Sequence, residues 1–211
     1  RNGSFAFGFK QDLGDSSNFR FITGLAEEDN GFLGLSGSGA FTLDGAETST
    51  AFTGVNFASD ISPNLSFGAV AIYANSEMFN RGHTMLSGVD QAVSNSFGLN
   101  LEGVNIWGSD RLEISLAQPN RIQEGSMRVR VTNLPDAEGN LTYRSELVSL
   151  EPSGRQIDLS VGYAREVSSD FVFSTKLSRT SQLNHVRDAS DITSAYLGAR
   201  YKNLLIGAST S

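Results

Sequence analysis

Apolar residues recur at every second position along almost the whole chain. Phe5, Phe7 and Phe9 alternate with Ala6, Gly8 and Lys10, and Phe19, Phe21, Thr23 and Leu25 follow. The pattern returns at Leu65–Tyr73, Phe97–Leu101, Leu112–Leu116, Met127–Val131, Ile157–Tyr163, Phe171–Leu177 and Ala195–Tyr201. Side chains of a strand point to opposite faces in turn, whereas a helix repeats every 3.6 residues, so this spacing predicts an all-β chain.

Turn signals separate the runs: Leu13-Gly14-Asp15, Asp29-Asn30-Gly31, Asp44-Gly45, Glu138-Gly139-Asn140 and Pro152-Ser153-Gly154. These residues tolerate the positive φ that tight hairpins require. About twelve strands are expected, spaced as in an antiparallel meander. The longest irregular stretches are expected near Glu77–Val89 and Ser181–Asp191. No repeat or linker divides the chain, so residues 1–211 are expected to form a single domain. An up-and-down β-barrel removes exposed strand edges by closing on itself. It is the favoured architecture, with a two-sheet sandwich as the alternative.

One face of these strands is apolar and the other carries Gly, Ser, Asn and charged residues. A soluble barrel would turn the apolar face inward. An outer-membrane barrel would turn it to lipid and line its lumen with the polar face, and strands of roughly ten residues match the span of a bilayer. One Trp and five Tyr are few for two aromatic girdles, and the closing Ala208-Ser209-Thr210-Ser211 lacks an aromatic residue. Both arrangements therefore stay open. Arg1-Asn2-Gly3-Ser4 is unlike a signal peptide, as in a mature product or a fragment. A net charge of −7, with no Lys/Arg run, argues against a nucleic-acid partner. Without cysteine there is neither a disulfide framework nor a thiolate metal site.

The residues that carry chemistry elsewhere form no constellation here, so no catalytic, cofactor-binding or metal site is assigned and no cofactor is expected. His83 and His185 lie far apart in loops, without metal-ligand spacing. Gly34-Leu35-Ser36-Gly37-Ser38-Gly39 lacks the Lys and the helix of a phosphate loop. Glu27 and Glu28, adjacent on a strand, point to opposite faces. Asp12, Asp15 and Asn18 read as a polar turn rather than a calcium loop. Arg128 and Arg130 share a face, with Arg111, Arg121, Arg144 and Arg155 nearby, and are expected to pair with Glu113, Glu146 and Asp158.

Several ordered segments carry a resemblance. They are Gly24-Leu25-Ala26-Glu27-Glu28 with Phe32-Leu33-Gly34 and Gly37-Ser38-Gly39-Ala40-Phe41, then Ser94–Leu99, then Asp110-Arg111-Leu112 leading to Gln118-Pro119-Asn120-Arg121-Ile122, and finally Val148–Leu159 with Gly162-Tyr163. In this order, from about Gly24 to Tyr201, the chain resembles the C-terminal, autotransporter-like β-barrel region of secreted subtilisin-like serine proteases of proteobacteria. Asn120 and Gln156 depart from that pattern, as does the C-terminal tail. The resemblance implies a non-catalytic barrel that serves as outer-membrane translocator or anchor. Its partners would be an upstream protease passenger domain, outer-membrane lipid and the barrel-assembly machinery. The alternative is a soluble accessory barrel for folding, targeting or binding. A stand-alone ligand-binding barrel ranks below both, and an independent enzyme last. Physically, Gln118-Pro119 reads as a strand end, Gly154-Arg155 as a turn opening the next strand, and Gly39-Ala40-Phe41 as part of a tapering barrel wall.

Overall fold

The computed structural model describes residues 2–34, 38–81, 84–135, 138–202 and 204–210. They form one antiparallel sheet of eleven strands: β1 (Gly3–Asp12), β2 (Ser17–Asp29), β3 (Ala46–Ser62), β4 (Leu65–Asn80), β5 (Leu86–Val104), β6 (Asp110–Thr132), β7 (Tyr143–Ser149), β8 (Ile157–Ser168), β9 (Phe171–Ser181), β10 (Ile192–Tyr201) and β11 (Leu204–Thr210). Each strand lies beside its neighbour in sequence, except that β7 and β8 both pair with β6. This is the expected up-and-down meander, in a single sheet rather than a sandwich. Two expected strands, Leu112–Leu116 and Met127–Val131, are halves of the long β6. Leu204-Leu205-Ile206, which alternation does not explain, opens β11. Most of Glu77–Val89 is strand, because β4 continues to Asn80 and β5 resumes at Leu86.

The register assembles the apolar positions into one surface. Phe9 lies opposite Phe21, Phe21 opposite Val55, Val55 opposite Ala71 and Ala71 opposite Phe97. Further along, Leu101, Ile114, Val161, Leu177 and Ala195 stand in a second unbroken row. Residues directly opposite in an antiparallel pair share a face, so this apolar face spans β1–β6 and β8–β10. Little covers it: Phe7 is 63% exposed, Leu177 54% and Leu197 55%. On the reverse face the corresponding rows carry small and polar residues. One runs Asn100, Ser115, Ser160, Ser178, Ser194, with hydroxyl contacts of 2.8 Å between Ser115 and Ser160 and 2.6 Å between Ser178 and Ser194.

The buried core lies on that reverse face, at one end. Residues on either side of 35–37, in the connection between β2 and β3, cover it. Phe32 and Leu43 pack with Ala46 of β3, Met78 of β4 and Leu86, Val89 and Ala92 of β5. Thr48 ties the fold-over down by donating to the Gly31 carbonyl at 2.6 Å. Gly39-Ala40-Phe41, expected in the wall, is instead a short 3-10 turn within this connection. The face bearing the core is therefore the inside. The long connections 30–45, 133–142 and 182–191 share one end of the sheet, and the short turns 13–16, 63–64, 105–109 and 169–170 share the other. Asp110 organises one short turn: its carboxylate accepts the Ile106 amide at 2.7 Å and the Trp107 amide at 3.2 Å, and Tyr163 Oη donates to it at 3.2 Å.

Among the described residues, β1 and β11 are the edges of the sheet, and within it the ladder is interrupted between β7 and β8. Ser126 pairs with Ser149 on β7, and Ala117 pairs with Asp158 on β8. Nine residues separate the two pairs on either side, so β7 and β8 are one strand in a single register, broken between them. Eleven strands thus make ten passes. At the break β6 does not end, as Gln118-Pro119 suggested. It bulges, with its register against β5 shifting near Gln118–Ile122, and Pro119 sits where no ladder bond is lost. Arg121, buried, takes the place of the missing ladder. Its Nε donates to the Gly154 carbonyl at 2.8 Å, and its guanidinium nitrogens reach the Pro152 carbonyl (3.1 Å), Gln123 Oε1 (2.8 Å) and Glu151 Oε1 (3.3 Å).

Arg121→Ala leaves those carbonyls unsatisfied, so a loss of about 2–4 kcal/mol is expected. Arg144→Ala, at an exposed pair with Glu146, should change stability by less than about 0.5 kcal/mol. Urea unfolding of the refolded protein, followed by heat-modifiable gel migration, measures both.

Candidate functional site

The inner face is divided by chemistry from one end of the strands to the other. At the long-connection end lies the apolar cluster around Phe32, Leu43 and Met78. Below it, along β1–β4, runs a groove of about 580 Å³ whose inward side chains include Lys10, Arg20, Ile22, Asn56, Val70 and Ile72. Glycine makes this groove possible. Gly8 and Gly54 flank Ile22 in one cross-strand row that ends at Ile72. A Cβ on Gly54 would stand 3.0 Å from Ile22 Cγ2, and one on Gly24 would stand 2.7 Å from the Phe52 ring, so the neighbouring side chains lie across the glycines. Across β6–β10 the same face is hydroxyl-rich instead.

A hydrogen-bonded cluster seals the break in the wall. Arg155 Nη1 donates to Gln118 Oε1 at 2.7 Å, and the amides of Gln118 and Gln123 both donate to Asn95 Oδ1 at 2.8 Å. His185, buried in the connection before β10, locks the broken segment from the far side. Its Nδ1 accepts the Gln156 amide N–H at 2.9 Å, which puts the neutral ring's proton on Nε2, where it donates to the Asn120 carbonyl at 3.0 Å. The Gly154 amide also donates to the His185 carbonyl at 2.7 Å. Desolvation pushes the His185 pKa below its usual 6.5; the bond to Asn120 opposes this, the charges of Arg121 and Arg155 add to it, and Asp158 opposes it. Asp158 itself is held by Thr180 Oγ1 at 2.7 Å and by the Gln156 amide at 3.0 Å.

The other candidates scatter. His83 lies outside the described residues, as do Leu35, Ser36 and Gly37 of the glycine-rich stretch. Glu27 and Glu28 do point to opposite faces. Glu27 pairs across with outward Ser49, and Glu28 accepts the Gly34 amide at 3.0 Å. Asp12 bridges Lys10 at 2.7 Å, and no cluster of three or more metal-binding side chains occurs among the described residues. Arg144 pairs with Glu146 as expected, at 2.7 Å, but Arg111 pairs with Glu102 rather than Glu113, and Arg128 pairs with Asp90 at 2.6 Å. Sequence reasoning missed the Lys10–Arg20 juxtaposition and the role of His185. The first needs the β1–β2 register, and the second needs a contact between segments about 30 residues apart.

Comparison with solved structures places the architecture. The chain shares its fold with outer-membrane β-barrel channels. A TodX monoaromatic hydrocarbon channel carrying a deltaS2 mutation superposes with a TM-score of 0.52 at 11% identity, covering 98% of this chain and 67% of that one. The P. putida toluene transporter TodX gives 0.50 at 12% identity, covering 99% and 72%. No protein-family model and no curated protein matches the sequence.

The lowered His185 pKa sets the sign of a pH effect. The unfolded state takes up a proton below pH 6.5 while the native ring stays neutral, so stability present above pH 6.5 falls as the pH drops from there through the native value. Unfolding midpoints measured from pH 7.5 to 5 should decline, and His185→Gln should flatten that decline. An unchanged slope in the variant contradicts the assignment.

Proposed function

We propose that the chain forms the wall of an outer-membrane barrel that conducts small, largely apolar solutes. The observation that carries this reading is the unbroken apolar outer face. An antiparallel sheet that leaves Phe7 of β1, Tyr73 of β4, Leu177 of β9 and Leu197 of β10 more than half exposed on one face is unsuited to water, whereas its polar, hydroxyl-bearing inner face suits a lumen. The asymmetry of the connections agrees, because such barrels have short periplasmic turns and longer extracellular loops. On that orientation the Phe32–Leu43 fold-over lies inside the extracellular mouth and narrows it. Two neighbours of the same fold are described as a hydrocarbon channel and a toluene transporter, which favours neutral, ring-sized solutes over large polar ones.

The reading as translocator of a subtilisin-like protease rests on the ordered motifs alone. Two of those motifs have local physical roles here: Asp110 caps a turn, and Gln118–Arg121 spans the break in the wall. Recovery of a protease attached to the same polypeptide on the cell surface would favour it.

Two measurements test the channel. In vesicles, Val161→Lys, on the outer face, should cost about 2–4 kcal/mol of unfolding free energy, while Ser160→Lys, on the inner face, should cost far less. Vesicles containing the protein should also take up toluene faster than empty ones. Equal costs for the two lysines, or no added uptake, contradicts the proposal.

A further inference from the structure

The groove along β1–β4 is not uniformly apolar. Its lower boundary is a row in which Lys10 of β1 stands directly opposite Arg20 of β2, with Asn56 and Val70 next in line. Like charges directly opposite in a sheet repel, and this pair is a local exception in a chain of net charge −7. Lys10 is partly neutralised by Asp12 at 2.7 Å. Arg20 makes no ion pair among the described residues. An exposed arginine at the border of an open groove, beside a second cation, is disposed to bind a carboxylate through both its terminal nitrogens.

Immediately above the cations lies an apolar floor. Ile22 and Ile72 stand in one row with Gly54 between them, and Val70 Cγ1 leans to 3.2 Å from where a Cβ on Gly98 would stand. Two positions above Ile22 along β2, beyond the groove, the Phe52 ring lies over Gly24. From Arg20 to Ile22, the groove residues of β2, is two positions, about 7 Å of strand, a span that takes one aromatic ring beside its acid group. The volume, about 580 Å³, lies within the roughly 300–1,000 Å³ usual for small-molecule sites.

We infer that this groove is a binding site for monoaromatic carboxylates, with the acid group on Arg20 and Lys10 and the ring on Ile22, Val70 and Ile72. The inference deepens the channel reading and rests on it, but it differs in the charge of the solute. Protein refolded in detergent is titrated calorimetrically with benzoate and with benzyl alcohol, which has a similar ring and no charge. Benzoate should bind at least about tenfold more tightly, and Arg20→Gln should remove that preference while leaving benzyl alcohol binding unchanged. Lys10→Gln should produce a smaller loss of the same kind. Heat-modifiable migration of each variant checks that it is folded. Equal binding of the two ligands by the unaltered protein, or a benzoate preference that survives Arg20→Gln, overturns the inference. Toluene uptake by vesicles separates the two readings. If uptake persists without a benzoate preference, only the carboxylate site falls; if uptake is absent, the channel falls.

Discussion

A sheet that faces hydrocarbon has no water to satisfy its backbone, so every amide and carbonyl must find a partner within the wall. The architecture follows from that requirement. Nearest-neighbour pairing in a meander supplies ladder bonds from both sides to the strands between the edge strands β1 and β11, and period-two alternation sorts side chains onto a lipid-compatible face and a polar one. The break between β7 and β8 is where the requirement is met by other means. There Arg121 offers a fan of donors to carbonyls that lack a strand partner, and Arg155, Gln118, Gln123 and Asn95 link into the same network. A buried arginine in such a wall is costly unless fully bonded. This one is, and its bonds keep the wall closed where its ladder stops.

The inner face shows the same economy. Glycines at positions 8, 24 and 54 remove side chains where Ile22 and Phe52 lie across the strands, so a groove opens without thinning the outer surface. Apolar packing narrows one end, aliphatic side chains form the middle, and cations bound the other end. The chemistry of this face thus changes along the strands through the register of four of them.

The fold was legible because alternation is a local property. Phe5–Phe9 and Ile157–Tyr163 announce their strands without reference to any neighbour. β3 was harder to see, since Ala46–Ser62 is rich in Thr, Ser and Ala on both faces, and Leu204-Leu205-Ile206 hides its alternation in three consecutive apolar residues. The break left only Pro152-Ser153-Gly154 as a trace, because an interruption that preserves register changes no spacing elsewhere. The groove left no trace, because Lys10 and Arg20 each read as an ordinary polar position on its own strand until the register sets them opposite. Two of the motifs that resemble a protease's carrier region have local roles, the Asp110 turn cap and the bulge at Gln118–Ile122.

The central claim is that the apolar face meets lipid. The chain has no cysteine, so single cysteines placed in turn from Phe173 to Ser178 along β9 can each carry a fluorescent label in vesicles. Quenching by brominated acyl chains should alternate with a period of two, strong at 173, 175 and 177 and weak at 174, 176 and 178, with aqueous iodide showing the opposite phase. Uniform iodide quenching, or the reverse alternation, would contradict the account.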